Sequence, residues 1–384
     1  MTYEVPTVTS SYTVENGEAR QLWNWLLRRQ GLSAETKFDS VLGIAQATLG
    51  LHAARLPSPF TTVIARSVSP TVALALFETE THANLMTVRC MRKTLHTLPL
   101  ELATVAHGAT RHFRERDALR AISNANVTVH HVSVTVDAIV DLVGGEGPMS
   151  HRAIEARITK PRTPIAVVRL ALKLAWEQGV LTYRNEATGW NRANRTFGLT
   201  AKLHPGLDMS LDRDEAAGDL IREYFDRYGP ASLRDATWWS GLSRSAITTA
   251  MNESTHHFVA LRTPWCQSPL YMYDDLHGKF RDTSSQHLEP RLNFLAHEDV
   301  ALKAYFESRG RYLGELPPNR AFNQIGEVLP TIVHGGQIVG SWAWDARRRA
   351  VAYSIIGGYN STGLHKEARR QSDALSDMLR LRWV

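Results

Sequence analysis

Two stretches of the chain repeat one order of elements, three short helices and then a two-armed hairpin, and a third stretch approximates it. In the middle of the chain TVDAIVDLVGG forms a short helix ending at Gly144-Gly145, and Ser150 caps SHRAIEARI. PIAVVRLALKLAWEQGVL then carries apolar residues at helical spacing, and LTYRNEATGWNRANRTFGLT supplies two extended arms around a polar tip. The order returns in DEAAGDLIREYFDRYG, closed by Gly229-Pro230, in ASLRDATWWSGL, stopped by Gly241, and in SRSAITTAMNEST, capped by Ser243; HHFVALRT and PLYMYDD are its arms. Nearer the N-terminus, EARQLWNWLLRRQGL reads as a helix stopped by Gly31, and Ser40 to Ala54 as a second, apolar one. PSPFTTVIAR opens on prolines, NLMTVRCMRKTLHTL alternates like a hairpin, and PLELATVAHGATRHFRERDALRAI is a long helix. Helix, helix, helix, hairpin is the winged-helix arrangement, a relative of the helix-turn-helix readers of DNA. The same order met three times predicts a tandem array.

From Gly278 the texture changes to β-branched and aromatic runs: TIVHGG, QIVGSWAWD and AVAYSII, with HGGQ as a two-residue hairpin turn. A small β-barrel or sheet is expected there, followed by the helix LHKEARRQSDALSDML. The fold class is therefore α+β, mainly α: winged-helix units over 1–120, 121–208 and 209–278, then a β-barrel with a terminal helix over 279–384.

The charge is unevenly placed. Lys and Arg exceed Asp and Glu by 44 to 38 over the 384 residues, but between Arg152 and Lys202 stand ten basic residues against three acidic ones. That eighth of the chain holds the whole net excess, and Arg prevails in it, as suits two-point contacts to phosphate. A clustered basic face is the footprint of a phosphate-binding protein. Two cysteines, Cys90 and Cys266, stand far apart without CxxC spacing, so neither a disulfide framework nor a zinc site is expected, and a reducing cytoplasm suits the chain. The N-terminal stretch lacks the basic and apolar regions of a signal peptide, and no apolar run approaches the ~20 residues that span a bilayer, so no membrane partner is expected.

Five stretches, in order, resemble the AlkZ/YcaQ family of bacterial DNA glycosylases. LGLHAARLPSPFTTVIAR (Leu49 to Arg66) is similar to the segment around that family's Gln-x-Gln or Gln-x-Asp motif. MRKTLHTLPLELATVAHGATR resembles its Arg-x-Thr-Leu-His stretch, and YGPASLRDATWWSGLSRSAI its Gly-Pro to Trp-Ser-Gly-Leu segment. NFLAHEDVALKAYFESRGRYL and VHGGQIVGSWAWD resemble the start and central hairpin of its C-terminal barrel. The resemblance implies three tandem winged helices forming a concave DNA-binding surface, a monomer, and excision of bulky or cross-linking alkylated purines from double-stranded DNA. Repair, or self-resistance to a genotoxic antibiotic, is the implied setting.

Alkylation of a purine at N7 or N3 makes the base cationic and weakens its bond to the sugar, and breaking that bond builds an oxocarbenium-like centre. Such a leaving group needs little acid help. The site has instead to hold a water on the sugar face and offer negative or dipolar stabilisation. By the resemblance, the two polar positions of the motif fall on His52 and Ala54. A neutral imidazole at 52 accepts a proton from water, and its ordinary pKa near ~6.5 suits physiological pH. Ala54 offers no polar group, which either weakens catalysis or makes room for a bulky adduct. The structural alternative for His52 is a histidine at a helix end bonded to backbone. Gln46 and His96 are candidate supporting residues. Arg55, Arg66, Arg92 and Lys93 are candidate phosphate contacts, and the tip GWNRANR offers Trp190, Arg192 and Arg195 as a wing that enters a groove. Arg347 to Arg349 is a further basic run, while Trp238 and Trp239 read as core anchors. No lysine stands at the motif, so hydrolysis without a Schiff base is expected, with no metal or other cofactor. The rival reading is a non-catalytic winged-helix protein, a regulator or a lesion-sequestering binder. A metal-dependent nuclease lacks a carboxylate and histidine cluster at ligand spacing.

Overall fold

The computed structural model describes residues 5–187, 189–283, 290–359 and 361–381; the first four residues and Thr188 in the second hairpin tip lie outside them. The strands of the described residues are β1 (Ser10–Thr13), β2 (Leu51–His52), β3 (Leu85–Arg89), β4 (Leu95–Pro99), β5 (Met149–Ser150), β6 (Leu181–Asn185), β7 (Arg195–Leu199), β8 (Phe258–Thr263), β9 (Cys266–Tyr273), β10 (Leu292–Leu295), β11 (Thr331–His334), β12 (Gln337–Asp345) and β13 (Ala350–Ile355).

The central run follows the expected order. Thr128 caps Val129–Glu146, Ser150 accepts the Ala153 N–H to open His151–Ile158, and Ile165–Glu177 leads into the β6–β7 hairpin. The next run repeats it. Asp212 caps Arg213–Tyr228, Ser232 and Asp235 form a capping box on Leu233–Ser240, and Gly241 at φ 80° ends that helix. Ser243 then opens Arg244–Asn252 ahead of the β8–β9 hairpin. These units do not keep separate sheets. Hairpin β3–β4 joins β6–β7 through Thr87 opposite Tyr183, giving one six-stranded sheet in the order β2-β4-β3-β6-β7-β5. Strand β1 runs parallel to β8, so the start of the chain adds a third strand to the β8–β9 hairpin. The helices Leu100–Asn124 and Arg213–Tyr228 pack so closely that a Cβ at Gly108 would lie 2.9 Å from that of Ala216.

Two expectations are corrected. The apolar helix read over Ser40 to Ala54 spans only Val41–Ala47. The Thr48 hydroxyl donates to the carbonyls of Ile44 and Gly50, Leu49 and Gly50 take φ of 49° and 94°, and the chain turns into β2. Only a glycine fits at 50, because a Cβ there would meet Leu98 Cδ2 at 2.1 Å. The expected C-terminal barrel is an open four-stranded antiparallel sheet, β10-β11-β12-β13. Helix Thr362–Arg380 covers it and ties both edge strands: Gln371 donates to the Leu292 carbonyl on β10, and Ser376 Oγ accepts the Val351 N–H on β13. The HGGQ turn forms as read, with Gly335 and Gly336 both at positive φ.

Candidate active site

His52 sits on β2 directly opposite His96 on β4, and the two rings meet edge to face with centroids 5.2 Å apart. Alternation along the strand puts His52, His96 and Val88 on one face of the sheet, and Ala53, Thr87 and Thr97 on the other. A small cavity of about 100 Å³ opens on that second face, under Phe77, Tyr183 and Trp190, and is thereby separated from the imidazole. The His52 face is covered by the segment His297-Glu298-Asp299. Glu298 takes φ 56°, and its Oε2 lies 3.5 Å from His52 Nε2. Its Oε1 accepts the Val328 N–H at 2.6 Å, while Oε2 also meets Lys303 Nζ. The segment is clamped to the motif helix Pro57–Arg66 twice more: Ser58 Oγ donates to the His297 carbonyl, and Arg66 makes a two-point pair with Asp299 at 2.7 and 2.9 Å.

His52 is only 2% exposed, and neither ring nitrogen forms a hydrogen bond among the described residues. The concave surface implied by the resemblance does not expose this ring; the fold lays Glu298 over it. Burial, followed by the nearby basic groups of His96, Lys303, His297 and Arg92, holds the His52 pKa well below its usual value, so the ring is neutral at pH 7. Burial and Lys303 likewise push His96 down to about 3, against the bond to the Thr94 carbonyl. Lys303 falls to about 7 through burial and Arg92, against the pull of Glu327. The arrangement offers an unprotonated imidazole beside a fixed carboxylate, the elements of a base and the group that orients it.

Outside this buried pair lies a second, more open set. Arg55 reaches out from the motif and pairs with Glu327 Oε1 at 2.7 Å, and His297 Nε2 lies 3.8 Å from the other oxygen. Glu327 belongs to a tight turn in which Asn323 Oδ1 accepts the N–H groups of Ile325 and Glu327, leaving Ile325 75% exposed at the tip. Arg92 and Lys93 occupy consecutive left-handed positions at φ 51° and 61°. Arg92 stacks 3.5 Å over the Trp238 ring, and Lys93 pairs with Asp117.

The other sequence candidates separate cleanly. Ala54 and Arg55 are exposed, and Gln46 lies on the solvent side of its helix, without reaching His52. Arg66 is fully buried in its pair with Asp299, so it is a structural anchor and not a phosphate contact. Trp190 is not a wedge at a wing tip. It is 8% exposed, donates Nε1–H to the Leu379 carbonyl and packs edge-on against Trp344, because the C-terminal helix and sheet close over the hairpin. Arg192 and Arg195 remain exposed. Arg195 faces the Tyr183 ring and, with Arg89, Arg152, Arg169 and Lys173, borders an open groove of about 960 Å³. Arg347 and Arg348 are exposed beyond β12. Trp239 is a core anchor, whereas Trp238 is half-buried beneath Arg92. Glu298, Lys303, His297 and Glu327 were missed. His-Glu-Asp lies within one of the stretches that carry the resemblance, but a loop has no periodic signal, and only the fold brings it to β2. Among the described residues no cluster of three His, Cys, Asp or Glu side chains could hold a metal ion. No single described helix is long and apolar enough to cross a membrane.

The model of the AlkZ-like family, described as DNA glycosylase AlkZ-like, matches residues 42–371 of this chain. The structure is similar to that of the Streptomyces sahachiroi DNA glycosylase AlkZ, with a TM-score of 0.73 over 94% of this chain and 97% of that one. Identity is 18%, so this likeness shows the fold. Comparison with curated protein sequences found no match.

Proposed function

Because the chain belongs to the AlkZ-like DNA glycosylase family, we propose that it hydrolyses the N-glycosidic bond of bulky alkylated purines in duplex DNA, with His52 readying the water. N7-guanine and N3-adenine adducts are the substrate class, since a cationic base leaves without an acid. The observation that carries this reading is an imidazole at the first polar position of the motif, held neutral by burial, with the Glu298 carboxylate 3.5 Å from its Nε2. The ring takes a proton from water as the oxygen closes on C1′ and the electrons of the C1′–N bond return to the purine, which departs neutral. Metal and Schiff-base chemistry play no part in this scheme.

His52 is covered, so this reading requires an opening in which Arg55 leaves Glu327 for a phosphate and the His297 side chain swings aside; a ring still sealed in the DNA-bound protein would make it a clamp without catalysis. Arg92, Lys93, Arg192 and Arg195 serve as further phosphate contacts. We read 1–120, 121–208 and 209–278 as three winged-helix units of a monomer, carrying DNA on their basic side, with 279–384 completing the site. DNA repair or self-resistance to a genotoxic alkylator is the setting that this chemistry fits.

Incubation of the purified protein with a duplex carrying an N7-alkylguanine tests the reading. Release of free adducted base with formation of an abasic site is expected, and His52→Ala should bind the duplex without releasing base. Unimpaired release by that variant would sink the assignment of His52. Binding without release by the native protein would leave a lesion-sequestering binder.

A further inference from the structure

The motif strand presents one polar group where the chemistry calls for two: His52 is present, and position 54 is an alanine whose small side chain faces solvent. A carboxylate nevertheless stands beside the ring. It comes from Glu298, whose side chain is 3% exposed and whose Oε2 is 3.5 Å from His52 Nε2.

Three features mark this carboxylate as placed for a task. Its backbone takes the left-handed conformation at φ 56°, which few glutamates adopt. Its two oxygens are divided, Oε1 being fixed by the Val328 N–H while Oε2 faces the imidazole and Lys303. Its neighbours hold the segment in register with the motif, through Arg66 with Asp299 and Ser58 with the His297 carbonyl. The remaining ionisable groups that act on His52 are cationic when charged: His96, Lys303, His297 and Arg92. Without Glu298, a proton arriving on the ring would meet repulsion alone.

We propose that Glu298 supplies from the C-terminal segment the polar partner that position 54 lacks, orienting His52 and holding the imidazolium formed when the ring deprotonates the attacking water. Glu298 is a positioning residue, and the inference rests on the reading of His52 as the base. The proposal requires one tautomer: Nε2 carries its hydrogen toward Glu298 Oε2, 3.5 Å away and short of hydrogen-bond geometry in the unliganded protein, and Nδ1 accepts the water proton. In the step, a water O–H bond breaks and the proton goes to Nδ1, the C1′–O bond forms, and the C1′–N pair leaves with the base.

The test compares native protein, Glu298→Gln, Glu298→Asp and His52→Ala on a duplex containing N7-methylguanine. Single-turnover release, duplex affinity and thermal melting are read for each. Glu298→Gln keeps an acceptor for the Val328 N–H and removes the charge. Its release rate should fall about 10²-fold with affinity within about twofold of native, as when one preorganised group is removed from an active site. Glu298→Asp should restore part of the rate. Native release by Glu298→Gln while His52→Ala is inactive would overturn the role of Glu298 and leave the base assignment standing. Native release by His52→Ala would overturn the assignment on which it rests. Should Glu298→Gln fold poorly, ¹⁵N NMR of histidine-labelled native protein decides: an Nε2–H tautomer at His52 is expected, and an Nδ1–H tautomer refutes the proposal.

Discussion

Arg66 and Arg55 lie eleven positions apart and look alike as cations, yet one is sealed against Asp299 while the other reaches solvent. The difference follows from helix Pro57–Arg66, whose last turn points into the interface with the C-terminal segment. The same rule of position governs the histidines. His96 and His107 are both buried with pKa pushed down to about 3, chiefly by burial and secondarily by Lys303 and Arg114 respectively. Each is therefore neutral in the folded chain and gains a proton on unfolding below about pH 6.5. The unfolded state binds more protons between that value and pH 3, so the stability these residues contribute is present above about pH 6.5 and is lost as pH falls toward 3. Urea midpoints measured from pH 7 to pH 4.5 should decline, and replacing His96 with Gln should flatten the decline. An unchanged slope in that variant would show that His96 titrates normally.

At the scale of elements, helix starts and stops were legible because they rest on local chemistry. Ser150 and Ser243 cap helices, and Gly31, Gly241 and Gly335-Gly336 turn the chain at positive φ, whereas the Asp212 cap was not read. The helix read through Ala54 failed for an instructive reason. Apolar spacing continues past Ala47, and nothing local outweighs it except Gly50, whose demand for positive φ is visible only once Leu98 is packed against it. Gly50→Ala is accordingly expected to destabilise the protein by more than about 1 kcal/mol, because the conformation and the contact both reject a Cβ. Since Gly50 sets the entry to β2, base release should fall more steeply than stability. A variant with native melting and native release would mean that β2 tolerates a different approach. Trp190 is the converse case. Its hairpin was read correctly, but its burial depends on Trp344 and Leu379, which no neighbouring residue announces.

For the whole molecule, the sequence disclosed the basic excess between 152 and 202, and the fold gathers part of it around one groove bordered by Arg152, Arg169, Lys173 and Arg195. If phosphates lie there, Lys173→Ala with Arg195→Ala should lower the slope of log affinity against log salt by about 2, with release at saturating enzyme unchanged. A slope equal to native would place the duplex elsewhere. Half of the candidate site was hidden, because His52 meets a partner from the far end of the chain. The pairing of β1 with β8, and of the motif with the His-Glu-Asp segment, also carries a consequence for biosynthesis. Translation proceeds at roughly 5–20 residues per second, so a ribosome needs on the order of ten to fifty seconds after delivering position 52 before position 298 emerges. Throughout that interval the nascent chain holds an imidazole without its carboxylate, and a truncated translation product would be born inert towards the genome that encodes it.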